Sequence, residues 1–229
     1  MNWNKKQKNK WEDLILFDED TNKGEFIPLI TDEEEESMNQ VEVPESIPLL
    51  PLRNTVLFPG VILPITIGRE KSLKLIDEVY NNDKLLGAIS QKDPNKENPK
   101  FHDLYHVGTV AQIIKILEMP DGSTSVIIQG KKRFQLDKII AHEPYFQGQV
   151  MTVEDKKRGV KGKEFEAIIG SLKDLSLKII QLSSHIPQEA SFAVKNIENS
   201  TFLINFICSN SEIDLKDKQK LLETDDIKE

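Results

Sequence analysis

The 229-residue sequence predicts an α+β protein in which a small closed or half-closed β-barrel with one helix precedes an all-α helical bundle. Between residues 46 and 155, short β-rich runs are separated by turn signals about every 8–12 residues, a spacing typical of small barrels. Only one stretch in that range has the period of a helix. From residue 164 to 229 the helical period replaces the β pattern. The chain therefore divides into a barrel domain and a bundle.

Residues 1–45 form an acidic segment ahead of both domains. They hold 5 Lys and Arg against 13 Asp and Glu, which equals the net charge of −8 for the whole chain, so 46–229 is balanced. The few apolar residues of this segment offset little of an ordering cost of about 1–2 kcal/mol per residue. We expect a disordered tail, in which Trp11–Phe17 is either a sticky solvated cluster or a motif that docks on a partner.

Composition excludes several classes of protein. No run approaches the roughly 18 apolar residues of a membrane helix, and Leu14–Phe17 is shorter than the core of a signal peptide, which needs about 7–15. The single cysteine, Cys208, allows no internal disulfide. A balanced folded part has no long-range attraction to nucleic acid or to an anionic membrane. We expect a cytoplasmic protein that uses no membrane and whose charge pattern disfavours nucleic acid as a partner.

The barrel domain opens with an apolar, proline-rich segment, Ile47–Gly60. Pro48 and Pro51 cannot donate to a strand ladder, which places 47–52 at an edge or at the rim of the barrel. Further β-rich runs follow at 55–58 and 61–67, separated by a Pro59–Gly60 turn.

One helix and several strands complete the barrel. In 69–80, apolar residues share one face with charges opposite, which predicts a helix. Met119–Gly122 is a turn signal that makes a hairpin of the runs beside it. The predicted strands after the helix are 85–90, 107–117, 124–129, 134–140 and 145–153.

The helical bundle, 164–229, follows a basic linker at 156–163. Apolar residues in its first helix recur at alternating steps of 4 and 3, an amphipathic stripe over five turns. Shorter helices are predicted at 189–197, 201–209 and 215–223, and the second of these is apolar almost all round, so it should be the buried centre. Residues 225–229 begin like another helix, which indicates a bundle truncated at its C-terminal end. The stripe consists of Ile168, Leu172, Leu175, Ile179, Leu182 and Ile186.

The motifs of catalytic and cofactor sites are missing from the sequence. Gly130-Lys131-Lys132 lacks the preceding glycine and following hydroxyl of a phosphate loop. His102 and His106 have zinc-ligand spacing only on a helix, and their surroundings indicate a strand entry without a third ligand. Cys208 has the pattern of a small buried residue, and the basic runs at 131–133 and 156–163 that of solvated surface. We predict no catalytic, cofactor-binding or metal-binding residue.

The proline-rich segment is the candidate binding surface. Because Pro51 and Pro59 interrupt regular pairing, one strand face cannot bury all of its apolar side chains. Exposed apolar patches usually recognise other polypeptides. Packing in the barrel core is the alternative for each residue, and for the whole segment both interpretations stay open. The candidate substrate-contact residues are Leu50, Leu52, Arg53, Leu57, Phe58 and Pro59.

Several collinear motifs resemble the N-terminal region of the ATP-dependent protease family Lon. The segment 47–60 is similar to the opening signature of that region, and the other matches follow in order across 46–229. The tail 1–45 lies outside the resemblance. The further matching motifs are 67–72, 104–111, 120–122 with 128–130, and 217–223.

The resemblance implies a PUA-like β-barrel followed by a helical bundle. In the Lon family this region precedes an AAA+ ATPase module and a serine–lysine protease domain, and the subunits form a homohexamer. It therefore implies that this chain needs no cofactor, since ATP and Mg belong to the AAA+ module.

The function implied by the resemblance is that of a non-catalytic recognition and assembly module. The parent would be a serine protease that degrades misfolded and short-lived regulatory proteins. The implied partners are unfolded or degron-bearing polypeptides and other Lon subunits. The alternative is a stand-alone PUA-like module that binds RNA or another protein.

Overall fold

A computed structural model describes residues 15–16, 25–26, 41–119, 122–153, 162–184, 186 and 189–225. The strands are β1 (Ile15–Leu16), β2 (Glu25–Phe26), β3 (Ser46–Leu52), β4 (Ile62–Ile67), β5 (Leu85–Ser90), β6 (Val107–Glu118), β7 (Thr124–Ala141) and β8 (Gln147–Thr152). The helices are α1 (Glu70–Asn81), α2 (Lys163–Leu182), α3 (Glu189–Asn196), α4 (Ser200–Asn210) and α5 (Leu215–Glu223), with a short 3-10 helix at Phe101–Asp103.

Six of the strands in the described part form one mixed sheet in the order β4-β7-β6-β5-β3-β8. The β3–β5 pair is parallel and the other pairs are antiparallel. Strand β8 also pairs with the second half of β7, so the path of hydrogen-bonded neighbours returns to β7. Strand β4 stays outside this closed path and pairs only with the first half of β7. The helix α1, which follows β4, buries Leu75, Ile76 and Val79.

The region predicted to hold strands 124–129 and 134–140 is one strand of 18 residues. Register shifts against β6 and β8 bend it, so that one half pairs with β4 and the other with β8. Gly130 lies between the halves, and a Cβ there would stand 2.3 Å from the carbonyl oxygen of Phe58. The sequence pattern predicts two strands because Gly130 and the three basic residues after it interrupt the apolar β-rich run. The predicted run 55–58 is a loop, not a strand.

Three apolar clusters fill the described part of the molecule. The first lies within the sheet around Phe134, whose ring packs so tightly that a Cβ on Gly108 would stand 2.7 Å from it. The second joins the sheet to α1. The third joins the loop between β3 and β4 to the helices α2–α5. We call this third cluster the seam, because it connects the sheet part to the helical part.

The acidic segment is described only at β1, β2 and 41–45, where β1 and β2 pair antiparallel. Three predictions fall on residues that the structure does not describe. They are the disorder of the rest of 1–45, the docking motif at Trp11–Phe17 apart from Ile15–Leu16, and the part of the linker at 156–161. The predicted further helix at 226–229 lies outside the described residues as well. No helix of the described part has the length and apolar content to cross a bilayer.

Candidate functional site

The structure buries four of the six candidate contact residues. Leu50, Leu52 and Leu57 belong to the cluster between the sheet and α1, and Phe58 belongs to the seam. None of the four is more than 2% exposed. For these four residues the structure therefore agrees with the alternative of core packing, and their role as substrate contacts stays a prediction that this burial disfavours. The burial follows from covering elements that lie far along the chain and that the proline pattern does not reveal.

The loop before β4 supplies one side of the seam. Val56, Phe58 and Val61 share one buried apolar cluster with side chains of α2–α5. Asn205 Nδ2 donates to the carbonyl oxygen of Pro59 at 3.1 Å, which fixes the loop to α4. The helical residues of the seam are Ile180, Ala193, Val194, Ile197, Phe202, Leu203, Phe206 and Leu222.

Two polar side chains also connect the parts. Arg133 on β7 is buried, and its Nη1 donates to the carbonyl oxygens of Leu222 at 2.7 Å and Thr224 at 2.9 Å. Because backbone carbonyls at the end of a helix have no intrahelical donor, this guanidinium caps α5. Gln219 Nε2 donates to Val107 O at 2.9 Å. Arg133 is thus a structural connector, which corrects the prediction that the 131–133 run is solvated surface.

The other two candidates, Arg53 and Pro59, remain at least partly accessible. Arg53 is exposed and its Nη2 lies 2.7 Å from Glu97 Oε1. Arg69 approaches the same carboxylate, with Nε 3.9 Å from Glu97 Oε2. Partial burial lowers the pKa of Arg69, and the neighbouring charge of Arg53 lowers it further, while Glu97 opposes the shift. Pro59 is half-buried beside Asn205. Their role as substrate contacts stays a prediction.

A shallow groove runs between the end of β3 and the free edge of β4. Leu50, Leu52 and Arg53 line one side, and Leu63 and Ile65 line the other. Leu50 and Leu52 thus border a surface feature although they are nearly inaccessible themselves. Arg53 and Arg69 also line this groove.

The other polar candidates do not converge. His102 Nε2 lies 3.4 Å from Asp103 Oδ1, whereas the ring of His106 packs on Phe101 with centroids 4.8 Å apart. Within the described ranges there is no group of three or more His, Cys, Asp or Glu side chains that could hold a metal ion. Cys208 is half-buried, and desolvation raises the pKa of its thiol.

The largest exposed apolar feature of α2 is the stripe that its sequence periodicity indicates. Ile168, Leu175, Ile179 and Leu182 are 44%, 59%, 60% and 78% exposed, and Leu172 between them is half-buried. We call these five residues the α2 stripe. The helix packs onto the molecule through a neighbouring face instead, which carries Phe165, Ser176 and Ile180. The hydrophobic periodicity of the sequence predicts the stripe. It does not predict whether the stripe faces the core or solvent, because the neighbouring face with Phe165 and Ile180 is apolar too.

Comparison with known proteins assigns this architecture to a family. Residues 46–229 match the family described as the ATP-dependent protease La (LON) substrate-binding domain. The chain belongs to the Lon substrate-binding domain family. The resemblance of its motifs to Lon is therefore confirmed. The chain is 46% identical over 217 residues to a Lon protease of Flavobacterium johnsoniae, and 43% identical over 224 residues to one of Parabacteroides distasonis.

These Lon relatives are much longer than the chain. The match covers 95% of this chain but 27% of the Flavobacterium protein, so the chain spans about a quarter of that relative. Since 95% of 229 residues is about 217, and 46–229 contains only 184, the match takes in at least about 33 residues of the acidic segment. The expectation that 1–45 lies outside the resemblance is wrong for this relative, although the family match begins at residue 46.

Solved structures of Lon N-terminal domains share the fold. The N-terminal domain of a Mycobacterium avium complex Lon protease superposes with a TM-score of 0.64 at 21% identity, covering 80% of this chain and 92% of that one. A Lon N-terminal domain protein from Xanthomonas campestris gives 0.57 at 16% identity, with 79% and 91% covered. At these identities the likeness concerns the fold alone.

Proposed function

We propose that this chain is a non-catalytic module that recognises substrates for a Lon-type ATP-dependent serine protease. Its ligands in this proposal are unfolded or degron-bearing polypeptides, and the parent protein degrades misfolded and short-lived regulatory proteins in the cytoplasm. Assembly with other Lon subunits into a homohexamer, with ATP and Mg bound in a separate AAA+ module, is part of the same proposal. We interpret the closed path of strands as the PUA-like barrel of this module and α2–α5 as its bundle.

The observation that carries the proposal is the exposure of the α2 stripe. Four large aliphatic side chains face solvent along one helix, and contiguous exposed apolar patches usually mark interaction sites. Unfolded polypeptides differ from folded ones in presenting apolar side chains, so an apolar stripe selects for the unfolded state. The family description as a substrate-binding domain supports the same conclusion.

The strength of this capture follows from the exposed area. The exposed fractions of the four side chains amount to about 2.4 whole aliphatic residues, and burying them would contribute roughly 4–7 kcal/mol. Association costs of about 4–15 kcal/mol oppose this gain. One copy therefore binds weakly, which suits a module that must release its substrate. Several copies on one assembly would add their affinities through effective concentration.

The test is a titration of the 229-residue chain with a reduced, carboxymethylated and therefore permanently unfolded polypeptide. A folded protein and a single-stranded RNA serve as comparison ligands, each at two salt concentrations. We expect binding of the unfolded polypeptide alone, with little dependence on salt. RNA binding that weakens steeply with salt would favour the alternative, a stand-alone nucleic-acid module.

Two variants of α2 locate the binding surface. Ile179→Glu places a charge in the stripe, and we expect it to weaken binding by about tenfold or more, because an ionised carboxylate resists burial in an apolar contact. Gln181→Glu makes the same charge change at an exposed position outside the stripe and should leave binding unchanged. Equal affinity of both variants and the original chain would exclude the stripe as the capture site.

A further inference from the structure

We propose that the α2 stripe receives its polypeptide in helical form. In this inference the bound segment is an amphipathic α-helix, acidic beside its apolar face, that lies along α2. The inference rests on the proposed function and specifies the class of segment that the capture surface selects.

The spacing of the stripe is that of a helix–helix contact. Its residues recur at steps of 4, 3, 4 and 3, a mean period of 3.5. This heptad spacing keeps a row of apolar side chains facing one partner helix, with each side chain inserted between those of the partner. From Ile168 to Leu182 the stripe extends about 21 Å, which matches four turns of a docked helix. Ser171 flanks it with a small side chain that permits close approach.

The backbone chemistry of α2 also favours a helical partner. The interior N–H and C=O groups of α2 are bonded within the helix, and the stripe residues carry only hydrocarbon side chains. An extended segment on this surface would bury its own amide groups without partners, and each unsatisfied buried amide opposes binding. A helical segment satisfies its amides internally and exposes only side chains to the contact.

The groove beside β4 is a poorer alternative for an extended segment. Leu49 N–H donates to Phe146 O, so it points away from β5. Because backbone groups two residues apart in a strand point to the same side, the nitrogen of Pro51 also points away from β5. On the opposite side of the groove, Gly130 N–H donates to Val61 O, so the backbone carbonyl of Val61 points towards β7. Successive residues alternate in this direction, so the nitrogen of Pro64, three residues later, points away from β7. The β3 side of the groove and the free edge of β4 therefore each present a proline where an added strand needs a donor.

Charge next to the stripe specifies the sign of the partner. Lys178 is exposed and directly precedes Ile179, in the heptad position that flanks the apolar contact between two helices. An acidic residue on the docked helix would complement this lysine, whereas a basic residue would be repelled. Asp174 lies farther round the helix, away from the apolar residues. Glu164 lies one turn before Ile168, so an acidic complement to Lys178 belongs opposite the C-terminal half of the stripe.

A second copy of this chain is a weaker candidate for the same surface. The stripe offers four exposed side chains, whereas a stable protein–protein interface uses about 20–30 residues on each side. The stripe alone is therefore too small to hold a symmetric dimer. A transient helical segment needs no larger surface.

The experiment compares three peptides of about 21 residues, long enough to cover the stripe. The first has Leu and Ile at heptad spacing and Glu at the flanking positions. The second has the same composition in strictly alternating apolar and polar order. The third is the first with Lys in place of the flanking Glu. Binding to the 229-residue chain is measured by fluorescence anisotropy, and the secondary structure of the bound peptide by circular dichroism.

We expect the first peptide to bind at least tenfold more tightly than the second and to gain helix on binding. It should also bind more tightly than the third, and Lys178→Glu should reverse that order. Leu175→Glu should abolish binding of the first peptide, while Gln181→Glu preserves it. Circular dichroism and thermal melting of each variant confirm that the substitutions at these exposed positions leave the fold intact.

The outcomes separate this inference from the proposed function. Equal or tighter binding of the alternating peptide would overturn helical selection, even if Ile179→Glu still loses capture of the unfolded polypeptide. Unchanged capture by Ile179→Glu would instead refute the proposed function at this surface. If the chain sediments as a dimer that Leu175→Glu disperses and the first peptide does not displace, the occupant is a second copy and the inference is wrong.

Discussion

Replacing Phe58 by alanine tests whether this residue holds the two parts of the molecule together. Its side chain is 2% exposed and packs in the seam among residues of α2–α5. Truncation of a buried Phe to Ala typically costs about 3–5 kcal/mol, from lost transfer free energy and the cavity left behind. Had Phe58 been an exposed contact for substrates, the cost to stability would be within about 0.5 kcal/mol.

The assay for Phe58→Ala is equilibrium unfolding in urea. With a dependence on urea of about 2–3 kcal/mol per molar, the expected loss lowers the unfolding midpoint by roughly 1–2.5 M. Leu73→Ala is the control, since it removes an exposed aliphatic side chain from α1. A midpoint for Phe58→Ala no lower than that of Leu73→Ala would refute the reasoning that places Phe58 in the seam.

Two further predictions concern stability and pH. Gly130→Ala should lower the melting temperature, because its Cβ would stand 2.3 Å from the carbonyl oxygen of Phe58. Gly170→Ala is the control, since a Cβ there meets open space in α2, and it should raise the free energy of unfolding by up to about 1 kcal/mol. Equal shifts in melting temperature would contradict the close approach at Gly130. Hydrogen bonds from Lys96 and from a backbone N–H hold the pKa of Asp103 below its usual value. Their stabilisation is present above about pH 3.9 and is lost as the pH falls through the folded-state pKa. Asp103→Asn should therefore lower the urea midpoint at pH 7 but much less at pH 3, and the same deficit at both values would exclude this linkage.

The seam affects how the module would present its surfaces. Because Phe58, Arg133 and Gln219 bind the sheet part to the helices, the groove beside β4 and the α2 stripe are held on one connected framework. A change in the loop before β4 should thus disturb the helical part as well. Under the proposed function, we therefore expect a substitution at Phe58 to weaken capture of an unfolded polypeptide by disturbing the fold.

Several features of this protein were accessible from its sequence. The helix α1 and strand β5 lie within one residue of their predicted bounds, because hydrophobic periodicity is a property of neighbouring residues along the chain. The heptad spacing of the α2 stripe is likewise a local pattern. Collinear motifs identified the Lon family, which the family match over 46–229 confirms.

Only the tertiary structure decided which apolar residues are available to a partner. Phe58 shares its buried cluster with side chains more than 100 positions later, such as Ile180 and Phe202, and no local pattern encodes that packing. On α2 two adjacent faces are apolar, and the packing of α3–α5 selects the face with Phe165 and Ile180 for the core. Periodicity depends on neighbouring residues, so the sequence by itself determined most of the elements and the family. Burial depends on contacts between distant segments, so the fold determined which surface remains exposed.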